Sequence, residues 1–280
     1  MRKWIIASTG IMTLFFLTSC GSTAKLSFNP KVGESYHYVS NTEMNMNMMS
    51  MNIEMNVKTY FALNVKEKAD TTFHLKMKYD SLMISQSNPM SGEIEYNSNT
   101  YDEASADQTT KMIAGTLEEL KNKEFDAWIS SSGHLIKMEG TENLGEAGGM
   151  MQGTDPSGII KSVVIAFPEG ELKEGQSWSV KQTSGSIGIE STVTYTIKSI
   201  NSDAIILDMN TSIPENQEME SNGVSMTISN FSSTGEVTVE RKTGMLMDMN
   251  TKQSMDMQMN MQGMDMTATT ESTTEIKRLD

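Results

Sequence analysis

Cysteine is almost absent from this sequence, because Cys20 is the only one in 280 residues. A single thiol excludes an intrachain disulfide, a CxxC redox pair and a cysteine-based zinc site. Histidine is nearly as rare, and the three residues His37, His74 and His134 lie far apart. No HExxH or paired-histidine spacing occurs among them. The sequence therefore predicts no metal site built from cysteine or histidine.

Motifs of the common catalytic classes are also missing. The chain contains no GxSxG nucleophile elbow and no glycine-rich phosphate loop. Its 36 aspartate and glutamate residues are scattered, so the sequence nominates no acid–base pair. We therefore expect a protein that is not an enzyme, with no catalytic residue and no organic cofactor.

Positive charge is in deficit, with 22 lysine and arginine residues and a formal net charge of −14. Such acidity argues against binding to nucleic acid, and against adhesion to anionic lipid through the folded surface. The longest mostly apolar run, residues 4–16, is shorter than the roughly 20 residues that a permanent transmembrane helix needs.

The N-terminus has the pattern of an export signal. Arg2 and Lys3 precede the apolar run, and small polar residues follow it. The segment ends "LTSC", Leu17–Cys20, before Gly21, and this resembles a bacterial lipobox. The resemblance implies cleavage before Cys20 and acylation of its sulfur and amine.

The lipobox defines two N-terminal regions, a lipoprotein signal peptide at 1–19 and an anchor and linker at 20–30. Removal of the signal peptide takes away Arg2 and Lys3. The mature chain then has 20 basic and 36 acidic residues, a formal net charge of −16. Several acyl chains on Cys20 would anchor the protein firmly, whereas one chain binds only marginally. No acidic run follows Cys20, which favours an outer-membrane location facing the periplasm.

Two pairs of similar segments indicate an internal repeat. "KVGESYHY" begins at Lys31 and "KEGQSWSV" at Lys173. Further along, "EFDAWISSSGHLIKM" (124–138) resembles "GEVTVERKTGMLMDM" (235–249). Segments 124–138 and 235–249 each have a strand, a polar turn ending in glycine and a returning strand. Glycine suits such turns because it adopts positive φ without strain. The shared order of the two signals predicts a duplicated β unit.

The predicted fold is mainly β, with two related antiparallel β-meander units of long, curved strands, forming a half-barrel or incurved sheets with two short helical segments. The first unit covers 31–140, a Gly-rich connection and short helix cover 141–166, and the second unit covers 167–280. One helix is predicted near 106–123, and the second is capped by Asp155 before a proline. The helix side chains predicted to point inward are Met112, Ile113, Leu117 and Leu120. Residues 88–106 are predicted to be a loop.

Methionine supplies most of the apolar residues of two alternating stretches, "MSMNIEMNVKTYFALNV" (49–65) and "MDMQMNMQGMDM" (255–266). Strict alternation predicts strands with one apolar face. The pairs predicted for the first hairpin, with a turn near 47–48, are Met46 with Met49 and Met44 with Met51. The pairs predicted for the second hairpin, with a turn at 262–263, are Met261 with Met264 and Met259 with Met266.

Three interpretations of this methionine face stay open. In the first, the methionines fill a β core. In the second, their thioethers bind the soft ions Cu(I) or Ag(I). In the third, they form a pliable surface for a lipid, an acyl chain, an apolar peptide or an envelope partner. The third interpretation is favoured for function because methionine is not a preferred strand residue. The candidate residues are Met44, Met46, Met49, Met51, Met55, Met255, Met257, Met259, Met261, Met264 and Met266.

The chain resembles a group of uncharacterised bacterial lipoproteins defined by a domain of unknown function. The motifs that carry the resemblance, besides the lipobox, are Gly33–Tyr36, Gly133–Leu135 and Phe167–Trp178. The resemblance implies a Met-rich, duplicated β architecture in the cell envelope and no assigned activity. The chain is also loosely similar to the half-barrel of periplasmic lipoprotein carriers, in its long predicted strands and its apolar sheet face.

Overall fold

The computed structural model describes residues 23–49, 51–89, 92–141, 153–184, 189–215, 217–221, 224–261 and 264–280. The predicted signal peptide, its Cys20 anchor and most of the Gly-rich connection lie outside these residues. The described strands are β1 (Thr23–Lys25), β2 (Ser35–Met48), β3 (Met51–Ala69), β4 (Thr72–Asn88), β5 (Gly92–Asn97), β6 (Glu124–Ser130), β7 (Leu135–Glu139), β8 (Glu171–Lys173), β9 (Ser177–Ser184), β10 (Ile189–Ile200), β11 (Ala204–Ser212), β12 (Gln217–Ser221), β13 (Val224–Glu240), β14 (Leu246–Met261) and β15 (Met264–Arg278). The described helices are α1 (Gln108–Asn122) and α2 (Pro156–Val163).

Thirteen strands form one antiparallel sheet in the order β7-β6-β4-β3-β2-β15-β14-β13-β11-β10-β9, with β5 on β4 and β12 on β13. A separate two-stranded sheet pairs β1 with β8. The last strand, β15, pairs with both β14 and β2, so it joins the end of the chain to its beginning. The prediction of a mainly β, antiparallel fold with two helices is confirmed. Among the described strands, the sheet is not closed, because β7 and β9 remain its edges.

Both edge strands lie against helix α2. A cleft of about 140 Å³ is lined together by Leu135 of β7, Val180 of β9 and Ile160 of α2. On the β9 side, the Lys161 ammonium of α2 donates a hydrogen bond to the Thr183 carbonyl at 2.9 Å. The sheet therefore curls until its two edges flank the same helix. It has an inner face toward the core and an outer face toward solvent.

Large aromatic and aliphatic residues fill the inner face at one end of the sheet, here called the aromatic end. Tyr38 stacks on Phe61 with ring centroids 5.3 Å apart, and Tyr79 meets Phe125 edge-on at 6.0 Å. Both hydroxyls find acceptors, since Tyr38 donates to the Leu246 carbonyl and Tyr79 to that of Thr154. Burial raises the pKa of both phenols above the ordinary value. This end is a closed core.

The internal repeat is visible in the hydrogen bonds of the two openings. The Gly33 amide donates to the Val65 carbonyl, the Val65 amide donates to the Glu34 carbonyl, and the Glu34 amide donates to the Lys31 carbonyl. The second opening makes the same three bonds, and its corresponding residues are Gly175, Ile197, Gln176 and Lys173. Both glycines have φ of 80–86°, which glycine adopts without strain.

Strand registers repeat as closely as the openings do. In the first unit the β3–β4 ladder passes from the pair Val65–Leu75 through a bulge to Glu67–His74. In the second unit the β10–β11 ladder passes from Ile197–Leu207 through a bulge to Ser199–Ile206. A bulge shifts one strand by a residue, so its recurrence at matching positions is a strong mark of common origin. The duplication is confirmed, whereas the unit boundaries at 140 and 167 stay a prediction.

The two similar hairpins turn at the aromatic end. Gly133 and Gly244 have φ of 83° and 69°, as predicted for glycine at these turns. A Cβ at Gly133 would collide with the backbone carbonyl of Ile165, and one at Gly244 would lie 2.5 Å from that of Ser27. The chain approaches each turn so closely that only glycine fits. Segments before the two openings therefore cross over the hairpin turns and close this end.

The helices agree with the prediction in position and capping but not in every inward side chain. Asp107 caps α1, and Asp155 caps α2 ahead of Pro156. Leu117 and Leu120 are buried, and Ile113 is half-buried. The prediction for Met112 is wrong, because 71% of this residue is exposed. Helical phase explains the error: Leu117 and Leu120 define the buried stripe, and Met112 lies on the opposite side of α1.

The strand predictions were least accurate around the polar segments. Residues 88–106, predicted as a loop, contain β5, where Ile94 and Tyr96 are buried and alternate with polar residues. Residues 224–240 form the single strand β13, which bends at a bulge with Asn230 at φ 49°. Among the described residues, no helix combines the length and hydrophobicity needed to cross a bilayer.

Candidate functional site

The two methionine-rich stretches, separated by about 200 residues in sequence, become neighbours in the sheet. Strand β15 pairs with β2 through Ala268–Met48, Thr270–Met46 and Ser272–Met44. Hairpin β2–β3 and hairpin β14–β15 therefore lie side by side, at the end of the sheet opposite the aromatic end. Their inner-face side chains form one surface, here called the methionine face. Its members with described side chains are Met44, Met46, Met48, Met51, Ile53, Met55, Met226, Ile228, Met255, Met257, Met259, Met266 and Ala268.

The register of the last hairpin is confirmed. Met261 pairs with Met264 and Met259 with Met266, as the alternation predicts. The predicted turn at 262–263 and the side chains of Met261 and Met264 lie outside the described part of the chain. Met255, Met257, Met259 and Met266 are half-buried.

The register of the first hairpin differs from the prediction. Met48 pairs with Met51 and Met44 with Met55, so the turn lies two residues later than predicted. Met49 is therefore a turn residue at φ 51°, and 56% of it is exposed, so its place on the face was wrong. The alternation of apolar and polar residues could not reveal this error, because moving the turn by two residues leaves every strand side chain on the same face of the sheet.

The sequence interpretation missed Met226 and Ile228. They lie on β13 opposite Met259 and Met257, and they extend the face onto a fifth strand. The alternation in "VSMTIS" (224–229) carries their signal. Met226, Met259 and Met266 therefore occupy paired positions on three adjacent strands.

Strand β15 forms the floor of the methionine face with short side chains. Ala268, Thr270 and Ser272 are only 1–8% exposed, although methionines on β2 and β14 flank the first two and are themselves half-buried. A short side chain between long cross-strand neighbours lies below them. The face therefore has the cross-section of a shallow trough with methionine walls and a small-residue floor.

A polar band separates this trough from the aromatic end. Its members lie in register across four strands of the inner face and carry hydroxyl or amide groups. The Thr42 and Thr274 hydroxyls are 3.1 Å apart, and residue 153 packs against Thr42. The other members are Thr251, Gln253 and Ser233.

Charge is confined to the outer face in this part of the molecule. The inner positions of β2, β3, β13 and β14 are apolar, hydroxyl-bearing or amide residues, whereas the alternate positions carry charges. On the outer face, Asn230 and Thr269 donate hydrogen bonds to Asp256, and these bonds lower the pKa of its carboxyl group. The trough itself offers no counter-charge to an ionised ligand.

None of the three histidines lies on the methionine face. His74 stacks on Trp128 at 4.7 Å and bonds Asp126 at 2.6 Å on the outer face of β4 and β6. His37 is an outer-face residue of β2, and His134 lies beside the hairpin turn at Gly133. In the described parts of the chain, no group of three or more His, Cys, Asp or Glu side chains is placed to hold a metal ion.

Two clefts lie away from the methionine face. The larger, about 490 Å³, lies between β3–β5 and the segment that leads into α1, where Lys58, Glu95 and Asp107 make it mostly polar. The smaller is the cleft between the sheet edges and α2. Unbranched thioethers with three rotatable bonds allow the methionine face to adapt its shape to a ligand.

Comparisons with solved structures give only distant likenesses. An outer membrane channel from Pseudomonas putida F1 is 8% identical, with coverage of 90% of this chain and 97% of that chain, at a TM-score of 0.25. The Pseudomonas aeruginosa protein OccK5 (OpdH) is 6% identical, with coverage of 88% and 98%, at a TM-score of 0.24. Similarity at these TM-scores carries no argument about this chain. No curated protein sequence matches it.

A family match is consistent with the duplication. A family described as "Family of unknown function (DUF6263)" matches residues 70–155 and again residues 157–246. The two matches together cover more than half of the chain, and each includes one of the two glycine-turn hairpins, at Gly133 and at the Gly244 turn. By its sequence and its repeated strand register, the chain belongs to this family of unknown function.

Proposed function

We propose that this protein is a non-enzymatic, lipid-anchored envelope protein that binds the acyl chain of a lipid along its methionine face. One observation carries the proposal: pairing of β15 with β2 assembles two distant methionine stretches into a single apolar surface whose methionines remain partly exposed. Methionine in a closed core would be replaceable by valine or isoleucine, which suit strands better. A surface that must adapt to a flexible chain benefits from methionine.

The dimensions of the trough suit an acyl chain. From Ser272 to Met266 the floor strand advances six residues, or about 20 Å. One leaflet of a bilayer has an acyl layer about 15 Å deep, half of the hydrocarbon core. The trough is therefore long enough to cover most of one chain.

The first described strand after the proposed anchor, β1, lies at the aromatic end. Cys20 precedes Thr23 of β1 by three residues, a reach of at most about 10 Å. Arg241, in the β13–β14 turn at that end, donates a hydrogen bond to the Thr23 carbonyl. Met257 is eleven residues along β14 from Leu246, or roughly 35 Å from that turn. An anchor on the outer membrane thus leaves the methionine face pointing into the periplasm.

Native mass spectrometry and lipid extraction of the gently purified full chain test the proposal. We expect a co-purifying lipid, or uptake of about one equivalent of a fluorescent long-chain lipid after delipidation. A delipidated chain that binds no such probe and remains a monomer would refute acyl-chain binding. A concentration-dependent dimer that excludes the probe would show that a second copy, and not a lipid, covers the face.

Binding of Cu(I) or Ag(I) is a second candidate, favoured by the row of Met226, Met259 and Met266. Thioethers prefer these soft ions, and paired side chains on adjacent strands stand about 5 Å apart. Replacement of all three by leucine should weaken Cu(I) affinity at least about tenfold in an anaerobic titration against a chelator. Met112→Leu, on the exposed side of α1, is the control. Affinity that is equal in the row variant and the control excludes this site.

A further inference from the structure

Two polar atoms with no partner are buried on the methionine side of the inner face. In the described part of the molecule, only three buried side-chain oxygens lack a hydrogen bond: Thr59 Oγ1, Gln217 Oε1 and Thr270 Oγ1. Thr270 lies between Met46 and Met255, and Gln217 pairs with Ile228 on the far side of the face. Thr59 lies outside the trough, beside Phe61 at the aromatic end.

Burial of such a group without a partner is unfavourable by about 1–3 kcal/mol. In most proteins each buried polar group therefore finds a hydrogen bond. Thr270 lies in the trough itself, whereas Gln217 lies three strands away on β12, roughly 14 Å off. The unpaired Thr270 hydroxyl points to a partner that binds in the trough, and it can donate or accept a hydrogen bond.

We propose that the ligand of the methionine face is an uncharged amphiphile, a long-chain lipid whose polar part carries hydroxyl groups, such as a monoacylglycerol. The inference rests on the proposed function and specifies its ligand. One of its hydroxyls bonds Thr270, while its chain lies among the methionines. The hydroxyls and amides of the polar band extend the same uncharged, hydrogen-bonding environment beyond Thr270.

The absence of charge on the inner walls distinguishes this ligand from a fatty acid or a phospholipid. An ionised carboxylate or phosphate in an apolar site needs a cation beside it. Among the described residues, the inner face carries Arg278 only at the aromatic end, where it binds Glu240 at 3.2 Å and packs over Tyr36. Hydroxyls and an ester carry no such requirement.

Competition binding on the delipidated full chain tests this inference with three probes of equal chain length. Monooleoylglycerol, methyl oleate and oleate each displace a fluorescent long-chain lipid. We expect monooleoylglycerol to bind about fivefold more tightly than methyl oleate, since one neutral hydrogen bond to the otherwise unpaired Thr270 hydroxyl distinguishes them. Oleate should bind more weakly than either at pH 8.

The variant Thr270→Val removes the hydroxyl without changing side-chain size. It should lose most of the preference for monooleoylglycerol over methyl oleate, while its affinity for methyl oleate stays within about twofold. Its Tm should rise, because an unpaired buried hydroxyl is gone. Thr59→Val is the matched control, since it removes an equally buried hydroxyl outside the trough. It should also raise Tm but leave the preference intact.

The outcomes separate this inference from the proposed function. Equal binding of the three probes, or tightest binding of oleate, would overturn the uncharged ligand while acyl-chain binding stands. Failure of all three probes would overturn acyl-chain binding itself. A preference for monooleoylglycerol that survives Thr270→Val, or that is lost equally in Thr59→Val, would show that the Thr270 hydroxyl has no specific role in recognition.

Discussion

Acyl-chain affinity should fall about 100-fold when Met46, Met48 and Met257 are all replaced by glutamine. These residues flank the floor strand on both sides, at Thr270 and Ala268. Loss of an apolar contact at each of the three positions is worth roughly 1 kcal/mol, less than full burial because the side chains are half-exposed. About 3 kcal/mol corresponds to two decades in Kd. Displacement of a fluorescent long-chain lipid by methyl oleate measures the change.

Leucine at the same three positions is the matched control. It keeps the apolar surface and removes the sulfur, so affinity should stay within about fivefold of the wild-type value. Met112→Gln, on the exposed side of α1, should change nothing. If the glutamine variant binds methyl oleate as tightly as the wild type, the acyl chain does not lie on the methionine face.

Gly133→Ala should destabilise the protein by about 3 kcal/mol or more. The substitution forces a non-glycine residue to φ 83° and drives its Cβ into the Ile165 carbonyl. Positive φ alone costs about 1 kcal/mol or more, and the clash with the backbone adds a similar amount or more. For a chain of this size the loss should lower Tm by roughly 10 °C in a thermal melt followed by circular dichroism.

Gly175→Ala separates the two causes. This glycine has φ 80°, but nothing lies within 4 Å of the position of its Cβ. Its replacement should cost about 1 kcal/mol, the strain alone. Equal destabilisation by the two variants would contradict the close crossing of the chain over the hairpin turn at the aromatic end.

Most of the fold could be predicted from the sequence because its strands alternate so strictly. The pairing of Met259 with Met266 required only alternation and a two-residue turn. The prediction for the first hairpin failed because alternation allows any even shift of the turn. Asn47, in the predicted turn, pairs with Asn52 within the ladder, and Met49 takes the positive φ instead. Side-chain periodicity thus determines faces, whereas turn residues determine register.

The candidate site was predictable in its residues but not in its assembly. Each methionine stretch was found separately, with no local signal that β15 would pair with β2 across more than 200 residues. Such long-range pairing follows from the whole sheet order. The same limit applies to Thr270, which in sequence is one of several threonines in "TATTESTT". Only its neighbours Met46 and Met255 make its hydroxyl unusual.

Methyl-labelled methionine NMR of the delipidated full chain tests the central claim most directly. On addition of monooleoylglycerol, we predict shifts in the methyl signals of Met46, Met48, Met255 and Met257. Signals of Met77 and Met245, which are fully buried, and of the exposed Met112 should stay in place. Shifts confined to Met112, or no shifts at saturating lipid, would contradict binding on the methionine face.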